Sequence, residues 1–567
     1  MRLFFFFIPF FSLIQGQLTL EHMEPGKRGD RYRAWVYFMD KNGSTKVDIS
    51  DQAWKRRLKN NIKSNSLWFD LEIPNNYIEA LKKLNLIVHR QSRWLNAVSI
   101  ETDINTLNTI LNFDFVKKID PVIGFTKNST NDTVTDIASM QISENNERDF
   151  DYGNSFAQIE QINCHSAHES GYFGQGVRIL VLDTGYKLSH LAFQEINVIA
   201  QYDFINDDEE TANETEDNDL SNQHSHGTKI LSIVAGYYPG TIIGPAFQSE
   251  YLLAKTEDIS SETPVEEDNY VAALEWGESL GADISTSSLG YLDWYSYCDM
   301  DGNTAVTTNA VDIAASLGML CITAAGNWGS EPPPSDPCEI PVQHYISAPA
   351  DADSVISVGG VSSSGTIAYF CSRGPTYDGR IKPEVCAMGI GVWCASSSDD
   401  NTLISQSNGT STATPLICGA AAVIMSAQPT WTAMNVRDAL LNTASQFNNP
   451  DTIYGYGIVD VMAAINYGQS TGVETGSGFP KDFQISAAYP NPFNPSISVD
   501  ITVAVDGHLI VEVLDISGRM ISKLYNGYIV HSTNKLNWVP NGVPAGIYFI
   551  KATLNGWSYI QKVTLLK

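Results

Sequence analysis

The chain is 567 residues long, with 43% hydrophobic and 17% charged residues, a globular composition with room for roughly three to four average domains. Against 64 acidic residues stand 35 basic ones, a formal net charge of −29. That balance argues against a nucleic-acid partner, because phosphate binding needs concentrated Lys and Arg, and it fits solubility in a salty exterior.

Residues 1–16 read as a secretory signal peptide: Arg2 gives the charged start, Leu3 to Ile14 the apolar run, and Gly16 a small residue for cleavage. The run is shorter than the ~20 residues a bilayer span needs, and no later stretch qualifies as one. From 17 to 126 short strands alternate with amphipathic helices. Ala34–Phe38 is strand-like and Trp54–Leu58 a basic helix, followed by a strand at Leu67–Leu71. A helix over Tyr77–Leu84 has Asn76 available as its N-cap. Strands at Leu86–His89 and Ala97–Ile100, a helix at Ile104–Leu111 and a strand at Phe115–Ile119 complete the pattern of a small α+β, ferredoxin-like sandwich. Residues 127–154 are polar and read as a linker.

Between 155 and 468 near-continuous apolar runs alternate with helices. Val177–Leu182, Tyr251–Ala254, Ala282–Ser285, Met319–Thr323 and Val355–Val358 have the character of parallel strands covered on both faces. Asn269–Leu280 and Val306–Leu317 read as the intervening helices, so the region is an α/β fold with a parallel sheet. Functional residues then belong at the strand C-terminal ends, where Asp183 falls. A second linker, 469–481, leads into 482–567, where strands follow one another directly with turns such as Ser517-Gly518 between them. That is the pattern of a small immunoglobulin-like β-sandwich.

An oxidising exterior allows the eight cysteines to pair. Cys298 and Cys338 lie in loop-like sequence, and Cys386 and Cys394 flank a short Gly-containing segment, so these are the two expected bridges. Cys321 and Cys418 lie in apolar runs and read as buried thiols. No Cys-x-x-Cys metal spacing is present.

Three short motifs carry chemistry: Asp183-Thr184-Gly185, His226-Gly227-Thr228 and Gly409-Thr410-Ser411-Thr412-Ala413. A serine hydroxyl becomes a nucleophile when an imidazole takes its proton and a carboxylate fixes the imidazole tautomer. Ser411, His226 and Asp183 can fill those roles. Singly, Ser411 serves equally well as an N-cap and His226 as a core histidine; their joint occurrence in the order Asp, His, Ser decides for catalysis. Acyl transfer also needs donors for the developing oxyanion, and Asn327, after the small residues Ala324 to Gly326, supplies one beside the Ser411 backbone N–H.

These motifs resemble those of the subtilisin-like serine proteases, the subtilases. The resemblance implies a secreted serine endopeptidase acting through an acyl-enzyme. It assigns catalysis to Asp183, His226, Ser411 and Asn327, and binding of the substrate backbone to Ser288, Leu289, Gly290 and Gly326. Thr412 stands where the family usually has Met. Trp328 follows Asn327 and predicts a bulky apolar wall at the first specificity pocket, with Arg and Asp disfavoured at P1. Residues 17–126 are similar to the family's inhibitor-like propeptide, an internal partner that blocks the cleft until removed. Tyr489–Pro495, Asp515–Arg519, Ala545–Phe549 and Lys562–Lys567 resemble type IX secretion sorting domains, which implies secretion machinery as a further partner and a secreted or cell-surface location. No cofactor is required for catalysis in this family, and structural calcium is common. The acidic run Asp207–Glu210 with Glu214, Glu216, Asp217 and Asp219 could hold such an ion, as could Asp299–Asn303, but both read first as solvated loops, and neither is assigned as a metal site. A catalytically silent homologue acting as a peptide-binding surface protein is the alternative function, and no residue change supports it. A serine esterase of another fold would want Gly-x-Ser-x-Gly and the order Ser, Asp, His.

Overall fold

The computed structural model describes residues 18–62, 67–122, 150–214, 217, 219–260, 265–398 and 400–468, together with seven strands and short flanks between 483 and 565. The expected signal peptide, the 469–481 linker and most of the 127–154 linker lie outside these residues. The chain forms two compact units, 1–468 and 469–567.

In the first unit, residues 18–122 build an antiparallel sheet from β1 (Arg31–Phe38), β2 (Ile87–Ser92), β3 (Ala97–Thr102) and β4 (Val116–Pro121), ordered β4-β1-β3-β2, with the short strand Lys27–Arg28 also paired to β1. Its helices are α1 (Asp51–Lys59), α2 (Asn75–Lys82) and α3 (Ile104–Leu111). Asp103 caps α3, accepting from the N–H groups of Asn105 and Thr106. Two expectations change here. Asn76 does not cap α2: Pro74 occupies the N-cap position without a side-chain bond, its fixed φ starting the helix two residues earlier. Leu67–Leu71 is not a strand but a 3₁₀ turn at Trp68–Asp70, held by the buried Asp70–Arg57 ion pair at 2.8 Å.

The larger part of this unit is a seven-stranded, wholly parallel sheet. Its strands are β5 (Arg178–Asp183), β6 (Asn197–Asp203), β7 (Glu250–Lys255), β8 (Ile284–Ser287), β9 (Leu320–Ala324), β10 (Ile356–Val361) and β11 (Val385–Met388), in the order β11-β10-β9-β8-β5-β7-β6. Successive side chains of a strand point to opposite faces. Ile179 and Val181 enter one core, with α4 (Ser225–Ala235) and α7 (Thr410–Ala427), while Leu180 and Leu182 enter the other, with α5 (Val265–Ser279) and α6 (Val306–Ser316). Both faces are covered, which is why the runs are apolar at every position. Among the described residues α7 alone is long and apolar enough to cross a membrane, and it is the buried core helix of this sheet.

Residues 18–122 dock on α5 through charge. Arg33 pairs with Asp268 at 2.7 Å, Arg93 with Glu275 at 3.0 Å and Arg57 with Glu278 at 2.9 Å, and Arg56 also reaches Glu278. Arg56 is buried and donates as well to the carbonyl of Leu317, the C-cap of α6, and to that of Ala282, past the end of α5. An orphan carbonyl at a helix C-terminus, such as that of Leu317, attracts a cation.

Cys298 and Cys338 form a disulfide with a Cα–Cα distance of 5.0 Å. Cys386 and Cys394 do not pair; both are buried thiols. Cys386 lies on β11 with its thiol toward the Tyr454 carbonyl, whereas Cys394 lies on the separate hairpin Val392–Ala395/Ile404–Ser407 with its thiol on Ser405. Cys321 and Cys418 are buried thiols too.

The second unit contains a three-stranded antiparallel sheet (Phe483–Ile485, Ile497–Val503, Ser532–Trp538) and a four-stranded one (Gly507–Asp515, Met520–Ile529, Gly546–Leu554, Trp557–Leu565). Val499, Ile501, Val511, Val513, Trp538 and Ile550 share its core.

Candidate active site

Asp183 is the last residue of β5 and is fully buried. Its Oδ1 accepts the Thr184 N–H at 2.7 Å and lies 2.7 Å from His226 Nδ1. His226 stands in the first turn of α4, which the sequence seats tightly on the end of β5. A methyl group at Gly227 would come within 2.2 Å of the Gly185 carbonyl, so only glycine allows this approach. Gly227 N–H donates to Thr184 Oγ1 at 3.1 Å and Gln223 Nε2 to the Thr184 carbonyl at 2.8 Å, closing the junction. The second oxygen of Asp183 is buried with no hydrogen-bond partner among the described residues. A carboxylate held this way favours a positive charge on the imidazole beside it.

Ser411 is the second residue of α7, which packs beside α4 on the same face of the sheet. Gly409 precedes the helix with φ +151°, and a methyl group there would come within 2.5 Å of Ser411 Oγ. The sequence therefore keeps the space around the hydroxyl clear. Pro415 sits four residues after Ser411 and lacks the N–H that would bond the Ser411 carbonyl. Ser288 Oγ donates to that carbonyl instead, at 2.7 Å, tying the segment after β8 to the helix of the serine.

Asn327 follows β9. Its Oδ1 accepts from the Thr410 N–H at 2.9 Å and from Thr410 Oγ1 at 3.0 Å, and Gly326 N–H donates to Thr410 Oγ1 at 3.2 Å. With the amide oxygen occupied, the Nδ2 hydrogens of Asn327 are left as donors; a methyl group at Gly409 would lie 3.5 Å from that nitrogen. Thr410 is thus a site residue that motif reading passed over, although the Gly-Thr-Ser sequence itself contains it. Ser288, Leu289, Gly290, Gly326, Asn327 and Ser411 line one cavity of about 340 Å³. A larger cavity of about 570 Å³ lies elsewhere, at the seam with α1.

The acidic candidates separate. Asp207 pairs with Arg90 at 2.9 Å, and Asp219 with the buried Lys255 at 2.9 Å. Asp208, Glu214 and Asp217 bring carboxylate oxygens within 4.8 Å of one another, and Asp217 Oδ2 is buried without a hydrogen-bond partner among the described residues. These hard oxygen donors fit a calcium ion. Asp299 and Asp301 do not form a comparable cluster: Asp299 accepts from the Ser296 N–H and hydroxyl, and Asp301 from the N–H groups of Asn303 and Thr304.

The profile of the Subtilase family matches residues 174–457, spanning Asp183, His226, Asn327 and Ser411. The chain belongs to the subtilase family. Among related subtilases, Subtilisin E of Bacillus subtilis is 32% identical over 307 residues, covering 54% of this chain and 70% of that protein. Subtilisin of Bacillus pumilus is also 32% identical, over 97% of its length, and Subtilisin Savinase of Lederbergia lenta is 26% identical, likewise over 97%. Residues 33–139 of this subtilase match the Peptidase S8 propeptide domain of Bacteroidota, and residues 487–565 the Secretion system C-terminal sorting domain. The sorting domain implies export.

Proposed function

We propose that this subtilase is a secreted serine endopeptidase, made as a self-inhibited precursor, that hydrolyses protein peptide bonds through an acyl-enzyme on Ser411. The observation that carries this reading is the 2.7 Å contact between His226 Nδ1 and the buried Asp183, which fixes the imidazole so that its other nitrogen is the base. In the proposed mechanism His226 Nε2 takes the Ser411 proton as Oγ attacks the scissile carbonyl, then returns it to the leaving amine. Negative charge developing on the carbonyl oxygen is met by Asn327 Nδ2 and the Ser411 N–H, the latter at the positive end of α7. Ser288 to Gly290 and Gly326 hold the substrate backbone across this point.

The order of elements in 18–122 and the strand order β4-β1-β3-β2 support a ferredoxin-like propeptide, and the two antiparallel sheets of the second unit support an immunoglobulin-like sandwich. A signal peptide at 1–16 together with the sorting domain supports a secreted or cell-surface location. Asp208, Glu214 and Asp217 would hold a structural calcium ion, which would brace the loop between Asp183 and His226 and take no part in the chemistry.

Expression of the full precursor and of its Ser411→Ala variant tests this. Self-processing to a shorter form with a new N-terminus, and fluorophosphonate labelling, are expected for the parent only. Equal labelling of both forms would show that Ser411 is not the nucleophile.

A further inference from the structure

The cavity beside Ser411 has walls that motif reading finds and a floor that it does not. Its walls are the segments 288–290 and 324–327; its floor is Ser347. A methyl group at Gly290 would come within 2.5 Å of Ser347 Oγ and one at Gly326 within 3.3 Å, so this hydroxyl lies between the two walls. The floor is fixed to both. Ser347 N–H donates to the Ala325 carbonyl at 3.3 Å, and Tyr291 N–H to the Ala348 carbonyl at 2.8 Å. Ser347 is 1% exposed, and its Oγ has no hydrogen-bond partner among the described residues.

An unpaired buried hydroxyl discriminates between side chains that enter from the substrate. An alkyl or phenyl group leaves the hydroxyl without a partner, so the cost of its burial stays unrelieved. A side chain with a polar end restores the bond. The hydroxyl alone does not choose between a donor and an acceptor, because it can play either part. The sign is set by Glu331, the single formally charged residue lining the cavity among the described residues. A carboxylate at the rim favours an entering cation and opposes an anion. Leu292 and Trp328 complete the lining with apolar surface, along which the methylene stem of a long basic side chain can lie.

We propose that this cavity selects a long cationic P1 side chain, lysine foremost, with Glu331 providing the counter-charge and the Ser347 hydroxyl accepting from the ammonium group. The proposal rests on the endopeptidase reading above and departs from the apolar P1 preference that Trp328 alone suggests. Trp328 remains a wall, but the charge and the polar floor decide what it accommodates.

The test uses the matured full-length protein and peptides that differ only at P1, carrying Lys, Leu, Phe or Glu. The expected kcat/KM for Lys exceeds that for Leu by about tenfold or more, with Glu the poorest. Glu331→Gln should lower the Lys value about tenfold more than the Leu value. Glu331→Arg should move the preference toward Glu, and Ser347→Ala should narrow the gap between Lys and Leu. A parent protein that prefers Leu or Phe overturns the proposal, as does a Lys:Leu ratio unmoved in Glu331→Gln. Fluorophosphonate labelling of each preparation separates the two layers. Labelled protein with an apolar preference leaves the endopeptidase reading intact and sinks this one, whereas absent labelling and turnover remove both.

Discussion

At the scale of single residues, the site depends on a hydrogen bond displaced from its usual donor. Pro415 deprives the Ser411 carbonyl of a helical N–H, and Ser288 Oγ fills the gap at 2.7 Å. Removing one partner of a buried bond costs about 1–3 kcal/mol, so Ser288→Ala should lower kcat/KM by about tenfold through displacement of the serine. In a Pro415→Ala background the helix supplies its own N–H, and the same substitution should cost less. A double-mutant cycle on kcat/KM measures this; additive losses would show that the two residues act independently. Glu267 offers a second residue-scale test. Burial pushes its carboxyl up to about 7, although Trp294, Tyr295 and Thr307 donate to it. The folded protein therefore holds a proton that the unfolded chain has already lost above the ordinary glutamate value, and stability falls as pH rises from about 4.5 to about 7. In the Ser411→Ala precursor, Glu267→Gln should remove this slope. The difference in melting temperature between variant and parent is expected to change only across that interval, and a difference constant with pH would refute the assignment.

At the scale of elements, α1 shows why part of the fold escapes pattern reading. Helical periodicity treats Arg56 and Arg57 as solvent-facing, yet both are buried against Glu278, with Arg56 also on the carbonyls of Ala282 and Leu317. Asp70 apart, the hydrogen-bond partners of these two side chains lie more than 200 residues away in sequence, where no local signal can reach. Strands β5, β7, β8, β9 and β10 were legible because both faces are buried. Edge strand β6 was not, because four of its seven residues are only partly buried and two are exposed. The same distinction holds at the site. Asp183, His226, Ser411 and Asn327 announce themselves by small-residue motifs at strand and helix ends, whereas Ser347 has no motif and becomes part of the cavity only through the packing of the segments at Gly290 and Gly326. The Cys386–Cys394 expectation failed for a related reason: nearness in sequence says nothing of the turn that sends one thiol into the sheet and the other into a hairpin. The buried charges of α1 should have a measurable effect. Breaking a buried ion pair by removing one partner costs about 3–5 kcal/mol, so Glu278→Gln in the Ser411→Ala precursor should lower the denaturant midpoint strongly. Glu79→Gln, which removes the exposed pair with Lys82, should leave it in place. Equal midpoints for all three proteins would show that the docking of α1 on α5 does not rest on these charges.

At the scale of the whole molecule, the chain carries separate cores. Among the described residues, the cluster of Val499, Ile501, Val511, Val513, Trp538 and Ile550 takes its members from 469–567 alone, and the cores on the two faces of the parallel sheet take theirs from 1–468. A compact unit with its own buried apolar core unfolds on its own account. By contrast, residues 18–122 share the first unit with the parallel sheet: Trp94 lies in the same core as Leu180 and Leu182, and the buried pairs from Arg33, Arg57 and Arg93 cross the seam. Calorimetry of the Ser411→Ala precursor should therefore resolve two transitions, one for 18–468 as a whole and one for the C-terminal unit. Deleting 469–567 should abolish the second transition and leave the first at its original temperature, with Glu278→Gln moving only the first. A single transition for the full chain, or a first transition that falls when 469–567 is removed, would mean that the two units stabilise each other and that the sorting domain supports the fold of the subtilase domain.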